Sequence, residues 1–309
     1  MTQNTATNTI RYSAKPFVKW VGGKTQLISS IEQAIPTRLY NVSELTYIEP
    51  FVGGGAVLFW VLNNLTNIKK AVINDINPDL ITCYKTIRNN ATDLIIELKL
   101  IEKEYKALQL EDSRKEFYLM QRDRFNTKNL DNIDNSALFI FLNRTCFNGL
   151  YRVNKKGLFN VPFGKYTNPT ICDENTIFAD SELLQKVEIL TGDFEQTINY
   201  ATENSFFYFD PPYKPLNQTS SFTSYTKEEF NDNEQMRLKR FCDKLDKQGA
   251  LWILSNSDVK GKNVEDNFFD DLYAHFIIKR VNAKRSINAN PEKRGFLKEL
   301  LITNHAVNL

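Results

Sequence analysis

Short apolar, β-rich runs alternate with helical patterns along most of this 309-residue chain. That alternation predicts an α/β fold, in which helices cover a sheet. The candidate strands are Thr46–Glu49, Ala71–Asn74, Val187–Leu190, Phe206–Phe209, Leu251–Leu254, Phe276–Val281 and Glu299–Thr303. The candidate helices include Thr25–Ile35, Ala56–Asn63, Pro78–Arg88 and Lys227–Lys247.

The alternation is interrupted between Pro78 and Glu188, where amphipathic helical stretches precede a segment rich in glycine, asparagine and aromatic residues. We interpret this stretch as a second domain that is inserted into the α/β unit. The expected division is a disordered N-terminus at residues 1–14, an α/β domain at residues 15–80 and 185–309, and the inserted domain at residues 81–184.

The composition is that of a soluble globular protein, with 42% hydrophobic and 25% charged residues. A net charge of +2 excludes a polycation, so any nucleic-acid surface must arise from local clustering of charge. We expect neither a signal peptide nor a membrane span, because no apolar run is long enough. Four separated cysteines and only two histidines favour free thiols in a reducing cytoplasm and no metal site.

The stretch KWVGGKTQ, Lys19–Gln26, has the glycine pair, lysine and threonine with which a phosphate-binding P-loop ends. That motif also requires a glycine at the position of Val18 and a buried strand before it, and the preceding residues are too polar for one. An ordinary Gly-Gly turn before a helix that begins at Lys24 is the other interpretation. The stretch alone does not decide what the turn binds.

Three consecutive glycines, Gly53, Gly54 and Gly55, follow a short strand and precede an apolar helix. Glycine lets the backbone pass close to a ligand, and a helix N-terminus presents free N–H groups, so this layout is typical of a nucleotide-binding turn. Asp75 ends the next strand, at the spacing where an acid accepts the ribose hydroxyls of an adenosine. The alternatives are a tight turn without a ligand and, for Asp75, an Asx turn or a helix N-cap.

The apolar strand at residues 206–209 ends at Asp210, and Pro211, Pro212 and Tyr213 follow it. Because proline lacks an N–H and fixes φ, the pair holds a rigid loop at the carboxyl end of the strand, where α/β proteins bind ligands. There the Asp210 carboxylate and the carbonyl of Asp210 or Pro211 can accept two N–H bonds from a planar amine. The Tyr213 ring can stack on the base that carries the amine. The alternative is a structural Pro-Pro turn after a core strand.

The motifs KWVGGK, EPFVGGG and DPPY, in this order around the inserted segment, together resemble those of the Dam-type (D12 class, group alpha) adenine-specific DNA methyltransferases. The resemblance implies a class I methyltransferase fold, with a Rossmann-like mixed sheet and an inserted helical and β-hairpin domain that recognises the target. Members of the family use S-adenosylmethionine. DPPY points to adenine, since related enzymes that methylate cytosine amines usually carry SPPY, and protein-glutamine methyltransferases carry NPPY.

The resemblance also implies roles for individual residues. Trp20 and Lys24 are expected at the methionine end of the donor, Asp75 at its ribose and Asp193 near its adenine ring. The expected donor site consists of Trp20, Lys24, Phe51, Gly53, Gly55, Asp75, Asp193 and Asp210. The expected catalytic residues are Asp210, Pro211, Pro212 and Tyr213.

A basic segment with interleaved aromatic residues, 143–166, contains no acidic residue. Lysine and arginine reach phosphates and arginine or asparagine can read base edges, but a solvated basic loop would have the same composition. The family places target reading here, and this version is similar to members that recognise GATC. The residues expected to contact DNA are Arg144, Asn148, Leu150, Arg152, Asn154, Lys155 and Lys156.

Two later stretches add candidates. Residues 279–299 are interpreted as a long basic loop between the final strands, which either contacts phosphate or is simply exposed. Ser255–Asp258 ends a strand beside the presumed site, or only caps the next helix.

The resemblance implies a site-specific enzyme that binds duplex DNA, flips out an adenine and methylates its N6 amine without a metal. We expect a monomer in the cytoplasm, associated with the nucleoid, and a cognate restriction endonuclease encoded nearby is a candidate partner. The alternatives are a catalytically silent DNA-binding protein of the same fold and an enzyme that methylates structured RNA or another amine.

Overall fold

The computed structural model describes residues 12–214, 230–261, 263–284 and 296–306. Its strands are β1 (Leu45–Glu49), β2 (Ile68–Asp75), β3 (Val187–Thr191), β4 (Ser205–Phe209), β5 (Leu251–Ser257), β6 (Ile277–Lys284) and β7 (Phe296–Thr303). They form one seven-stranded sheet in the order β3-β2-β1-β4-β5-β7-β6. β7 is antiparallel to both of its neighbours, and the other neighbouring strands are parallel. This mixed sheet confirms the predicted class I methyltransferase-like fold.

The helices match the predicted ones with differences at their ends. They are α1 (Ile28–Ala34), α2 (Ala56–Asn64), α3 (Pro78–Ala107), α4 (Glu111–Asn126), α5 (Asn132–Thr145), α6 (Glu174–Leu184), α7 (Asp232–Lys247) and α8 (Phe268–Leu272). The expected end of α3 at Arg88 is wrong, since the helix continues through a kink at Asn90 (φ −137°, ψ 39°). The predicted helix Thr25–Ile35 is divided into a 3₁₀ turn, Lys24–Gln26, and α1. Residues 227–229 of the helix predicted to start at Lys227 lie outside the described residues.

Residues 12–14 of the segment that was predicted to be disordered belong to the described structure. Residues 1–11 lie outside the described residues. Ala14, in contrast, is buried, and its carbonyl accepts a hydrogen bond from the Asn63 side chain at 2.9 Å. The chain is therefore already packed against α2 at residue 14.

The two faces of the sheet are buried by separate hydrophobic clusters. In β4, Phe206 and Tyr208 belong to one cluster and Phe207 and Phe209 to the other, because successive side chains of a strand point to opposite faces. A strand that is buried on both faces has to be apolar throughout, which explains the unbroken run at residues 206–209. The second cluster includes apolar residues of α7, such as Phe241.

The long inserted segment leaves the sheet after β2 and returns at β3, which are neighbouring strands. It contains most of α3 together with α4, α5 and α6. Its helices share one hydrophobic cluster with the sheet, since Tyr47 of β1 and Phe141 of α5 belong to the same cluster. The inserted segment is therefore packed continuously against the α/β unit, which fixes its position relative to the edge of the sheet.

The basic loop between α5 and α6 has hairpin-like pairing without regular strands. Isolated bridges join Cys146 to Phe163 and Val153 to Phe159. The buried Tyr118 hydroxyl donates to the carbonyl of Val161 at 2.7 Å and anchors one side of the loop. We call residues 146–164 the recognition loop. Within the described ranges, no helix has the length and apolar character needed to cross a membrane.

Candidate active site

The carboxyl ends of the parallel strands bring several polar side chains to one edge of the sheet. Glu49 and Asp75 are the last residues of β1 and β2, and Asp210 directly follows β4. Ser255 lies in the neighbouring strand β5 and donates to Asp210 Oδ1 at 3.3 Å. This edge is where open α/β sheets bind their ligands.

The loop after β1 is shaped by glycines for which no other residue fits. Gly53 and Gly55 have φ values of +48° and +76°. A Cβ at Gly55 would lie 2.5 Å from the Tyr84 hydroxyl, and that hydroxyl donates to the carbonyl of Gly53 at 2.9 Å. α2 begins immediately after Gly55, so the loop presents the N-terminus of that helix at the edge of the sheet.

Asp75 is held directly against this loop. Its Oδ2 accepts from the N–H of Gly53 at 3.0 Å, and its Oδ1 accepts from the N–H of Asn77 at 2.9 Å. The Asx-turn interpretation is therefore part of the structure, whereas the N-cap of α3 is Asn77, which accepts from Asp79 and Leu80. Burial raises the pKa of Asp75, although these backbone hydrogen bonds oppose the shift.

Trp20 of the KWVGGK stretch packs directly on the glycine loop. A Cβ at Gly53 would lie 2.8 Å from Trp20 Cδ1, and one at Gly54 would lie 2.8 Å from Trp20 Cβ. The indole also stacks on Tyr151 of the recognition loop, at a centroid distance of 5.9 Å, and on Phe139 of α5, at 6.5 Å. Trp20 thus lies between the glycine loop and the recognition loop.

Lys24 reaches the end of β4. Its Nζ lies 2.7 Å from Asp210 Oδ1 and donates to the carbonyl of Gly22 at 2.6 Å. The Lys24 side chain is only 4% exposed. A buried ammonium that is already neutralised by a carboxylate is not presented to a phosphate, so the structure speaks against a P-loop.

Asp210 lies between Lys24 and Ser255, and its carboxylate is 23% exposed. Burial raises the pKa of Asp210 above its ordinary value, although Lys24 and Ser255 oppose that shift. A carboxylate in this environment is a stronger base and hydrogen-bond acceptor than one in water.

The Tyr213 ring is held by contacts with two other side chains at this edge of the sheet. Its hydroxyl donates to Glu299 Oε2 at 2.6 Å, and Lys24 Nζ lies 4.6 Å from the ring centroid. The loop that carries Tyr213 is also held at Pro212, whose carbonyl accepts from the buried Gln235 side chain at 3.1 Å. The loop is thus attached to both α7 and β7.

Phe51 and Asp193 lie in the loops after β1 and β3, which meet through Phe194, the residue after Asp193. The Phe51 ring is 5.2 Å from that of Phe194. Asp193 accepts from the N–H of Glu195, and its other oxygen forms an ion pair with Arg237 at 2.6 Å. This group therefore offers aromatic faces beside an exposed carboxylate.

The predicted DNA-contacting residues of the recognition loop differ in exposure. Lys155, Lys156 and Asn148 are exposed, Leu150, Arg152 and Asn154 are half-buried, and Leu150 packs against the hydrophobic cluster. Arg152 donates through Nε to Asn160 Oδ1 at 2.8 Å across the loop. Asn154 Oδ1 accepts from the N–H groups of Lys156 and Leu158 and shapes the tip of the loop.

Arg144 is half-buried at the end of α5. Its guanidinium donates to the carbonyl of Phe17 at 2.8 Å, and burial lowers its pKa. The arginine thus joins α5 to the chain just before KWVGGK, and its predicted contact with DNA stays a prediction.

Both ends of the second basic stretch belong to strands. Residues 279–284 and 296–299 belong to β6 and β7, and residues 285–295, which include Arg285, Lys293 and Arg294, lie outside the described residues. Arg280 forms ion pairs with Asp258 and Asp270. Asp258 also accepts from the N–H of Lys260 in the 3₁₀ turn after β5, so the capping interpretation of Ser255–Asp258 holds for its last residue.

Several residues of the site were given no role by the sequence analysis. Glu49 is buried and accepts from the Tyr47 hydroxyl at 2.7 Å, and burial raises the pKa of Glu49 well above its ordinary value. Glu299 was missed as a member of the site, whereas Ser255–Asp258 had been placed beside it from the sequence. A polar residue inside an otherwise buried strand, as in LSNS at residues 254–257, was the available signal for Ser255.

The potential metal ligands of the described residues are the cysteine, histidine and acidic side chains. All four cysteines are free. Among the described residues, no three histidine, cysteine or acidic side chains are grouped so that they could hold a metal ion.

Comparisons with known proteins agree with this geometry. Residues 20–287 match the D12 class N6 adenine-specific DNA methyltransferases. The chain is 54% identical to the Type II methyltransferase M.MjaIII of Methanocaldococcus jannaschii, over 94% of this chain and 99% of that protein. It is 38% identical to the Type II methyltransferase M1.LlaDCHI of Lactococcus lactis subsp. cremoris, over 96% and 97% of the two chains. It is 37% identical to a DNA adenine methylase of Haemophilus influenzae, over 93% and 92%.

The match extends over the glycine loop, the inserted segment and the loop after β4. The similarity to these relatives spans nearly their full length as well as that of this chain. The chain therefore belongs to the D12 class N6 adenine-specific DNA methyltransferase family, and it is an adenine-specific DNA methyltransferase.

Proposed function

We propose that this chain transfers a methyl group from S-adenosylmethionine to the N6 amine of an adenine flipped out of duplex DNA, within the sequence GATC. The observation that carries the proposal is the 2.7 Å ion pair between Lys24 and Asp210. It joins KWVGGK to DPPY at the edge of the sheet where the glycine loop also lies. The flipped base is part of the proposal because the N6 amine is inaccessible inside the base stack.

The glycine loop fits S-adenosylmethionine as the donor. At Gly53 and Gly55 the space that a Cβ would take is filled by Trp20 and Tyr84, so these side chains pack directly on the loop backbone at the N-terminus of α2. Asp75 offers a carboxylate for ribose hydroxyls beside the loop. The proposed donor site comprises Trp20, Lys24, Phe51, Gly53, Gly55, Asp75, Asp193 and Asp210.

The residues after β4 supply the proposed chemistry. When bound, S-adenosylmethionine would supply a methyl group on a positively charged sulfur, and the carbon–sulfur bond would break as the target amine accepts that methyl group. Asp210 and the carbonyl of Pro211 accept the two N–H bonds of the amine and direct its lone pair away from the ring. Tyr213 stacks on the adenine, and Pro212 keeps the loop rigid. The raised pKa of Asp210 lets its carboxylate take up the proton that the amine loses.

The inserted segment, residues 81–184, is the proposed target-recognition domain. The exposed Lys155 and Lys156 suit phosphate contacts, and the polar side chains of Asn148, Arg152 and Asn154 suit base edges. Leu150 supports the loop through its packing. The similarity of residues 143–166 to members that read GATC supports that target.

Further parts of the proposal concern the cellular setting. We infer a monomer acting on duplex DNA in the cytoplasm, at the nucleoid. The names of two relatives, both Type II methyltransferases, support pairing with a restriction endonuclease of the same target. Sedimentation of the pure protein, alone and with a duplex, tests the monomer.

Restriction protection tests the target and the chemistry together. The protein is expressed in a host without adenine methylation, and the DNA is digested with one nuclease blocked by methylated GATC and one that requires it. We expect resistance to the first and cutting by the second, and Asp210→Ala should restore the original pattern. Methyladenine mapped to another sequence would overturn GATC but keep the enzyme.

A separate experiment tests the donor. Calorimetry should detect S-adenosylmethionine binding to the wild-type chain and much weaker binding to Trp20→Ala. Undiminished binding by that variant would remove Trp20 from the donor site. No binding by the wild-type chain, with or without duplex DNA, would overturn the donor assignment.

A further inference from the structure

We propose that Glu299 is a positioning residue for methyl transfer, which holds the Tyr213 ring at the angle needed to stack on the target base. The inference rests on the proposed function, in which Tyr213 stacks on the flipped adenine. Glu299 belongs to none of the motifs, and it reaches the site from β7, the antiparallel strand.

The contact is direct and short. The Tyr213 hydroxyl donates to Glu299 Oε2 at 2.6 Å, a distance typical of a charge-assisted O–H···O⁻ hydrogen bond. A tyrosine is attached to the backbone at one end of its ring, so an acceptor at the hydroxyl fixes the other end. The long axis of the ring is then defined at both ends.

Lys24 constrains the remaining rotation of the ring. Its ammonium lies 4.6 Å from the centroid of Tyr213, in a cation–π contact, while it is bound to Asp210. Glu299 and Lys24 thus hold the hydroxyl and the face of the same ring. Burial raises the pKa of Glu299, and Lys24 and the Tyr213 hydroxyl oppose that shift.

The position of Glu299 is rigid. It pairs with Ser257 of β5 in the sheet register, and the Ser257 hydroxyl donates to the carbonyl of Lys214 at 3.4 Å, one residue beyond Tyr213. The same pair of strands therefore supports both the backbone and the hydroxyl of the Tyr213 loop. A side chain that merely tied the loop down would not need to meet the ring at its hydroxyl.

A double-mutant cycle separates positioning from simple support. The variants are Glu299→Ala, Glu299→Gln, Tyr213→Phe and Glu299→Ala with Tyr213→Phe. Methyl transfer into unmethylated genomic duplex gives kcat and KM, and thermal unfolding gives the stability of each variant. Misplacing a reacting group by about 1 Å can cost about 100-fold, so we expect Glu299→Ala to lower kcat by about 10- to 100-fold with little change in KM.

The hydrogen bond predicts the pattern of the other variants. Glu299→Gln keeps an acceptor and should retain most of the activity. Tyr213→Phe loses the same contact, so the double variant should be no worse than the poorer single one. In a duplex with 2-aminopurine at the mapped target adenine, Glu299→Ala should brighten the bound complex, because a displaced ring quenches the base less.

The chain offers a matched control. Tyr200 donates to Glu188 on β3, which is an edge strand of the sheet and lies away from the site. Glu188→Ala removes an equivalent acceptor and should leave kcat unchanged.

Two results would overturn the proposal. One is a Glu299→Ala enzyme with wild-type kcat. The other is a double variant whose fold-loss of kcat equals the product of the losses in Glu299→Ala and Tyr213→Phe. Such independent effects would mean that Glu299 does not act through Tyr213. Tyr213→Ala separates failure of the proposed function from failure of this inference. A fully active Tyr213→Ala variant would show that the target base does not depend on stacking on Tyr213. An inactive Tyr213→Ala variant together with a Glu299→Ala variant of normal activity would reject only the positioning role of Glu299.

Discussion

The ammonium of Lys24 lies 2.7 Å from the carboxylate of Asp210 and joins the first motif of the chain to the last. Lys24 is nearly fully buried, and the pKa of Asp210 is raised by burial and lowered by this lysine. The ion pair therefore favours the ionised form of Asp210, whereas burial favours its neutral form.

Replacing Lys24 by methionine should move the acid limb of the pH–rate profile to higher pH. Without Lys24 the pKa of Asp210 rises further, so a higher pH is needed before the carboxylate can accept the amine. Breaking a buried ion pair costs about 3–5 kcal/mol, and we expect the lower end because Asp210 is 23% exposed. Lys239→Met, which breaks the Lys239–Asp243 pair on α7, is the control and should leave the profile in place.

Gly55→Ala should weaken donor binding and destabilise the fold, and Gly157→Ala is its matched control. Both glycines have a φ of +76°, so both substitutions carry the same backbone strain. A Cβ at Gly55 would meet the Tyr84 hydroxyl at 2.5 Å, whereas nothing lies within 4 Å of one at Gly157. We expect Gly55→Ala to cost about 1–3 kcal/mol more, as overpacking does. Equal shifts of the urea midpoint would show that the glycine loop tolerates a side chain.

Arg152→Ala should relax sequence choice, whereas Lys155→Ala should weaken binding to all sequences alike. Arg152 is held across the recognition loop by Asn160, and Lys155 is exposed. Loss of a base contact costs about 1–3 kcal/mol of discrimination, and loss of a phosphate contact lowers the salt slope by about one. Methylation maps and salt titrations of duplex binding measure the two effects. A map unchanged by Arg152→Ala would remove that residue from target reading.

Asp180 should make the protein less stable as the pH rises. It is fully buried on α6, accepts from the N–H of Lys15 at 3.1 Å, and has its pKa raised by burial to about 8. The folded chain holds the proton of the Asp180 carboxyl more tightly than the unfolded chain does. The stability that this protonation contributes is therefore complete below the pKa of Asp180 in the unfolded chain, and it is lost as the pH rises through about 8. Asp180→Asn should flatten this part of the dependence when urea midpoints are measured against pH.

Asp173, at the N-terminus of the same helix, is a control because its pKa is shifted in the opposite direction. Burial works against ionisation there, but hydrogen bonds from Thr176 and Lys15 lower the pKa of Asp173 overall. Asp173→Asn should therefore lose stability chiefly at neutral and higher pH. Parallel curves for Asp173→Asn and Asp180→Asn would contradict both assignments.

The strands could be predicted from the sequence because most of them are buried on both faces. The unbroken apolar run of β4 indicates a strand that is buried on both faces, and its end at Asp210 marks the ligand-binding edge of the sheet. The end of α3 was predicted wrongly at Arg88. Asn89 and Asn90 suggest a helix end locally, but the packing of the following turns on α5 carries the helix through a kink.

The partners of the motif residues could not be predicted in the same way. Glu299 meets Tyr213 only because β7 pairs with β5 in a particular register, with Ser257 opposite Glu299. Nothing near either residue in the sequence specifies that register. The hydrogen bond from Arg144 to the carbonyl of Phe17 is a second example, since nothing near either residue in the sequence indicates it.

The continuity of α3 matters for engineering new specificities. A chimera that exchanged residues 81–184 would cut this helix before its kink at Asn90 and would split the hydrophobic cluster that the inserted helices share with the sheet. Grafting residues 146–164 alone leaves every helix whole. The recognition loop is therefore the natural unit of transplantation, provided that the graft keeps an aromatic ring at Tyr151 to cover Trp20.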